Sequence, residues 1–170
     1  MSESLKQARE ALRELTPLRG DCGRICGAAC CSSMAGEETG MLLFPGEEAL
    51  LGPMEGWTLR RAGADLLALC PGTCDRALRP LACRLFPLLP VIREDGLRVE
   101  TDLRARAVCP LARQGKSALL PAFIEAVRQA GTLLMEDPEQ RAFLERLSRG
   151  QEELRALKRA FRKEADACID

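Results

Sequence analysis

The chain offers sulfur and no imidazole: nine cysteines and no histidine in 170 residues. Cys22, Cys26, Cys30 and Cys31 fall within ten positions, Cys70, Cys74, Cys83 and Cys109 follow, and Cys168 lies apart near the carboxyl end as a free thiol. An odd number of cysteines cannot all pair internally, and a reducing cytosol, where we expect this chain, keeps thiols reduced. One buried cysteine is ordinary core packing, but packing does not predict clustering. Ligation of a soft metal does. Spacing by four, as in Cys22, Cys26 and Cys30 and again in Cys70 and Cys74, stacks side chains on one helical face or suits a loop curled around an ion. Cys30 and Cys31, being adjacent, point in different directions and would serve different sites. The eight clustered cysteines therefore divide into two four-thiolate sets, or into one set plus thiols with another role; spacing does not choose between them.

The neighbours of these cysteines are of the kinds a thiolate site uses. Glycines at 23, 27 and 72 let backbone amides approach sulfur, and two cysteines precede proline, Cys70-Pro71 and Cys109-Pro110. A divalent ion with four thiolates carries a formal charge of about −2. Arg24, Arg76, Arg79 and Arg84 lie within a few positions of a ligand, and Arg79 and Arg84 are the expected outer neighbours that relieve this charge.

The absence of histidine removes Ser-His-Asp and Cys-His hydrolases and histidine-ligated zinc enzymes in their usual forms. Cys-x3-Cys-x3-Cys is not the three-then-two spacing of radical-SAM enzymes. Glu47, Glu48, Glu94 and Asp95 sit where turns and surfaces carry charge. No catalytic constellation is recognisable, and the chain reads as a binding protein rather than an enzyme. Three functions fit. A closed zinc site, Zn2+ being the first expectation, is structural and orders a surface for a protein partner. An iron-sulfur cluster would make an electron carrier. A thiol sensor or metal store would release its ion on oxidation. Basic and acidic side chains balance at 25 each, so no overall field draws the chain to nucleic acid or anionic lipid. The longest run rich in large apolar residues, "LFPLLPVI", is far short of a bilayer span, and the start lacks a secretory signal's apolar stretch, which leads us to expect a cytoplasmic protein without a membrane segment.

These side chains need elements to position them. Leu5, Ala8, Leu12 and Leu15 predict an amphipathic helix over 4–16, with Ser4 and Gln7 as a capping box and Pro17 beyond its end. "MLLF" before Pro45-Gly46 reads as a short strand, "WTLRRAGADLLAL" as a hairpin turning near Gly63, and "LPVIREDGLRVETD" as a hairpin closed by Asp95-Gly96. After Gly115 the chain is helical: one helix carries Leu120, Phe123, Ile124, Val127 and Leu134, a second starts at Asp137-Pro138 and carries Phe143, Leu144 and Leu147, and a last one carries Leu154, Leu157 and Phe161. Trp57 is expected in the core or as a lid near the cysteines. The expected fold is α+β in a single domain over 1–170: a small cysteine-rich, metal-stapled core of short strands and loops over 20–110, flanked by an N-terminal helix and a C-terminal helical segment over 116–164. Ordering such loops costs about 1 to 2 kcal/mol of backbone entropy per residue, and a metal held by thiolates supplies the missing stabilisation.

"CGRICGAACC", "FPGEE" and "CPGTCDRALRPLACRLFP" together resemble the bacterial YkgJ-like cysteine-cluster proteins, a zinc- or iron-chelating domain family with a CxxCxxCC signature. Arg79-Pro80, Cys83-Arg84 and Phe86-Pro87 match that family's Arg-Pro, Cys-Arg and aromatic-Pro pattern. The resemblance implies a metal-ligand set of Cys22, Cys26, Cys30, Cys31, Cys70, Cys74, Cys83 and Cys109, with Cys168 outside it. It covers about residues 20 to 110. Two features depart from the pattern: three residues rather than two separate the first cysteines, and no aromatic residue precedes Arg79-Pro80.

Overall fold

A computed structural model describes residues 2–32, 40–51, 56–72 and 74–167, and shows an α+β protein with two small antiparallel sheets. Helix α1 (Glu3–Ala11) buries Leu5, Ala8 and Leu12 on one face. Its cap is Ser2, whose Oγ accepts from the Leu5 amide at 3.4 Å, not the Ser4 and Gln7 box. The helix also stops a turn before the expected end. Beyond its end, the carbonyls of Arg13 and Leu15 accept from the Arg76 guanidinium at 3.4 and 3.2 Å, which supplies donors that no helix amide provides there.

The one-turn helix α2 (Gly23–Cys26) is followed by strand β1 (Gly40–Leu42), helix α3 (Glu48–Leu51) and the hairpin of β2 (Thr58–Ala62) and β3 (Asp65–Leu69). The sheet order is β1-β3-β2 and the hairpin turns at Gly63, as expected. Leu43, Ala68, Leu66 and Trp57 pack beneath it, which places Trp57 in a small apolar cluster of its own. Helix α4 (Leu81–Leu85) leads to the hairpin of β4 (Leu88–Arg93) and β5 (Gly96–Thr101). Arg93 pairs with Gly96, so the turn residues are Glu94 and Asp95, one position before the expected pair. Gly96, with φ +116°, takes the first position of β5, a backbone angle open to glycine.

Helices α5 (Ala105–Val108) and α6 (Pro110–Gln114) precede α7 (Pro121–Met135) and α8 (Pro138–Ala167). Pro121 opens α7, and Asp137 Oδ1 caps α8 through the Glu139 and Gln140 amides at 2.9 and 3.2 Å. The two helices expected after Asp137 are a single 30-residue helix. Polar side chains on both sides of Gly150 dock it to the β4–β5 hairpin. Ser148 Oγ accepts from the Ile92 amide at 2.9 Å, and Gln151 bridges the Leu103 amide and Asp102 Oδ1 at 3.0 and 2.8 Å. Continuous docking removes the reason to break there.

The main core joins α1, α4, β4, β5, α7 and α8 around Phe44, Phe123, Phe143 and Leu88. A Cβ at Gly131 would lie 2.7 Å from Pro90 Cβ, so α7 crosses β4 at a distance only glycine permits. The expected division between a helical core and a stapled middle is thus too sharp, because the β4–β5 hairpin belongs to the conventional core. Glu47, expected on a turn surface, is fully buried and accepts from Arg9 and from the Leu81 and Phe44 amides.

An ion-pair network joins the hairpin to α8. Glu100 accepts from Arg93 at 2.9 and 2.6 Å and from Arg155 at 2.6 Å, while Glu152 pairs with both arginines. Partial burial would raise the Glu100 carboxyl, but the bonds from Arg93 and Arg155 outweigh it and hold the group below its ordinary value of 4.5. A depressed carboxyl contributes stability that is present above 4.5 and lost as pH falls through the folded value. Glu100→Gln is therefore expected to cost about 1 kcal/mol at neutral pH, a cost that shrinks as acid takes the pH below 4.5 and through the folded value, read from urea midpoints across that range.

Candidate metal centre

Four stretches of chain deliver the cysteines, and each is shaped locally. Asp21 Oδ1 accepts from the Gly23 amide at 3.0 Å and starts α2, with Cys22 at its cap and Cys26 as its last residue. Gly27 at φ +62° and Ala28 at φ +54° then reverse the chain in two left-handed steps, and the Cys31 amide donates to the Ala28 carbonyl at 2.7 Å. Cys30 and Cys31 are thereby folded back with their Sγ atoms 3.9 Å apart.

The second stretch begins where β3 ends. Cys70 follows directly, and burial raises its thiol, opposed by the nearby Gly72 amide. The Arg79 guanidinium lies beside Cys74. Pro80 opens α4, which carries Cys83 and Arg84. The fourth stretch is the junction of α5 and α6, where buried Cys109 packs with Ala105, Ala112 and Phe86. All eight cysteines are free thiols, and Cys109 is the one classed as buried; the others are half-buried. Cys168 lies outside the described residues.

Arg79 and Arg84 have different jobs. Arg79 faces Cys74, Cys31 and Cys83; burial disfavours its charge, but the cysteines, Cys74 foremost, raise its affinity for the proton. Its Nε is buried without a partner. Arg84 instead donates to the carbonyls of Arg79, Arg9, Arg76 and Ala77 at 3.0, 3.3, 3.2 and 2.8 Å. Four carbonyls on one guanidinium tie the 76–79 turn to α1, so Arg84 shapes the loop next to Cys74 and Arg79, and it lines a small cavity with Cys22, Cys30 and Cys83.

The thiols are not alike. The hydrogen bond from Cys30 draws Cys31 down to about 6 against the effect of burial, helped by Arg79 and by a hydrogen bond from Cys70. The same bond pushes Cys30 up. The adjacent pair thus gives up a first proton readily and a second with difficulty. Burial is the first cause that raises Cys22, Cys70 and Cys83. A cation placed among these sulfurs would reverse that balance, since ligation favours the thiolate.

The side chains are of a kind that thiophilic ions take: eight unbridged sulfurs, with one guanidinium beside three of them. Among the described residues, however, no three cysteine, aspartate or glutamate side chains stand where one ion would touch them all. Loading an ion would require the sulfurs to close in. No family model, no curated protein and no solved structure matches the chain. The YkgJ-like resemblance accordingly rests on the motif residues themselves. No described helix is long and apolar enough to cross a membrane.

Proposed function

We propose that this chain is a thiolate metal-binding protein of the cysteine-cluster kind, similar in its motifs to YkgJ-like proteins. More particularly, it holds zinc through Cys22, Cys26, Cys30, Cys31, Cys70, Cys74, Cys83 and Cys109, and the ion orders the surrounding loops as a surface for a protein partner. The observation that supports the reading is that all eight cysteines, on four separate stretches of chain, are free thiols, with Arg79 beside Cys74, Cys31 and Cys83. A four-thiolate zinc site is closed and supplies folding stability rather than an open position for substrate. Arg79 offsets thiolate charge, the Gly72 amide lies near the Cys70 sulfur, and Arg84 and Arg9 hold the turn that carries Cys74.

Metal analysis and a visible spectrum of protein purified without oxygen test this. We expect zinc and no colour. Iron with acid-labile sulfide and a brown protein would replace the zinc reading with that of an iron-sulfur electron carrier. Protein that holds neither metal, and takes up neither when offered, would overturn metal binding altogether.

A further inference from the structure

We infer that the second half of α8 is a self-association surface, on which a second copy of this chain docks its own α8 in parallel and in register. This is independent of the metal-binding reading.

The apolar positions of α8 recur at alternating intervals of four and three: Phe143, Leu147, Gly150, Leu154, Leu157 and Phe161. Such a pattern averages about 3.5 residues, the spacing that keeps a seam facing its partner when two helices wind round each other. The first two side chains belong to the chain's own core, where Phe143 is fully buried and Leu147 packs at its edge. The same stripe then runs on into solvent. Leu154 is 38% exposed, Leu157 54% and Phe161 62%. A contiguous run of large apolar side chains left in water marks an interaction surface. An open groove of about 560 Å³, lined by Leu42, Leu147, Gly150, Leu154 and Leu157, extends the stripe onto the body of the protein. Gly150 sits in this seam although, among the described residues, a Cβ there would meet nothing within 4 Å. Glycine weakens a helix, and close approach of a second helix is a use for one at this point. The bonds that dock α8 to its own hairpin run through Ser148, Gln151 and Arg155, to one side of the seam, and leave it open.

Charge selects the occupant and its direction. With Leu147, Leu154 and Phe161 at the a positions of a heptad and Gly150 and Leu157 at d, Glu153 falls at g and Lys158 at the following e, and both are exposed. In a parallel pair each g side chain meets the next e side chain of the other helix. Glu153 of each copy then meets Lys158 of the other, twice by symmetry. In an antiparallel pair g meets g and e meets e, which would set Glu153 beside Ala160 and Lys158 beside Gln151 with no opposite charge to pair. The stripe is thus complementary to itself in the parallel register.

Sedimentation equilibrium of the full chain in reducing buffer, where cysteines cannot cross-link the copies, tests this. Wild type should form a concentration-dependent dimer. Leu157→Glu should raise its dissociation constant about a hundredfold or more, since each copy loses a leucine from the seam, and should leave the circular dichroism and urea midpoint of dilute protein unchanged because the side chain is exposed in the single chain. Glu153→Lys alone and Lys158→Glu alone should each weaken association about fivefold to tenfold by placing like charges opposite each other, and the two together should restore it. Wild type that stays monomeric up to its solubility limit, or a dimer indifferent to Leu157→Glu, would overturn the inference. Single charge reversals without effect would overturn it too, because they place Glu153 and Lys158 away from each other.

Discussion

Chelation of the metal-loaded protein is expected to loosen the cysteine segments while the helical core stays folded. Structural zinc supplies about 10 to 16 kcal/mol at neutral pH, comparable to the stability of a whole domain. The sequence suggests that this loss runs through 20–110. The structure narrows it. Phe44, Leu81, Leu85, Leu88 and Val99, all inside that interval, pack with α1, α7 and α8 in a core that includes none of the eight cysteines. Among the described residues, the segment 20–32, whose regular structure is the single turn α2, and residues 70–72 and 74–79 have no comparable apolar anchorage. Limited proteolysis with fragment masses should therefore show new cleavage in those two segments after chelation, with little change in far-ultraviolet circular dichroism because α7 and α8 persist. An identical digest before and after complete metal removal would sink the expectation.

Glu47→Ala is expected to destabilise the protein by about 3 to 5 kcal/mol, the cost of leaving a buried charge without its partner. Glu47 is fully buried; burial pushes its carboxyl up, opposed by the Leu81 amide, by Arg9 and by the Phe44 amide. Removing it strands those two amides and the Arg9 guanidinium together. The damage should also reach the sulfur ligands. Arg9 donates at 3.1 Å to the Arg79 carbonyl and at 3.4 Å to that of Ala77, so it anchors the turn that presents Cys74 and Arg79. Chemical denaturation and metal affinity should fall together, and replacing Arg9 and Glu47 jointly by Met and Leu should recover part of the stability. A Glu47→Ala protein within about 1 kcal/mol of wild type would show that water, not the core, receives Arg9.

Short-range features were legible because their causes are local. Hydrophobic periodicity located α1 and α7, Asp137-Pro138 located the start of α8, and the apolar runs around Gly63 and Asp95 located both hairpins. The departures all came from distant partners. Arg76 holds the chain that leaves α1, Ser148 and Gln151 dock α8 on either side of Gly150, and Arg9 pairs with Glu47 inside, from a turn that reads as surface. Each is a polar side chain satisfied by a group tens of positions away, and no window of sequence contains both members.

The sulfur residues divide in the same way. Sequence by itself determined that cysteines cluster in this chain, that histidine is absent, and that Arg79 and Arg84 stand beside the cysteines, because residue type and neighbourhood are local properties. Only the tertiary structure decided that Arg79 lies beside sulfur while Arg84 gathers four carbonyls, and that the Cys30 and Cys31 sulfurs fold back to within 3.9 Å of each other. Direction depends on how loops are closed against α1, α4 and the α5–α6 junction, and loop closure is set by contacts between segments far apart in the chain.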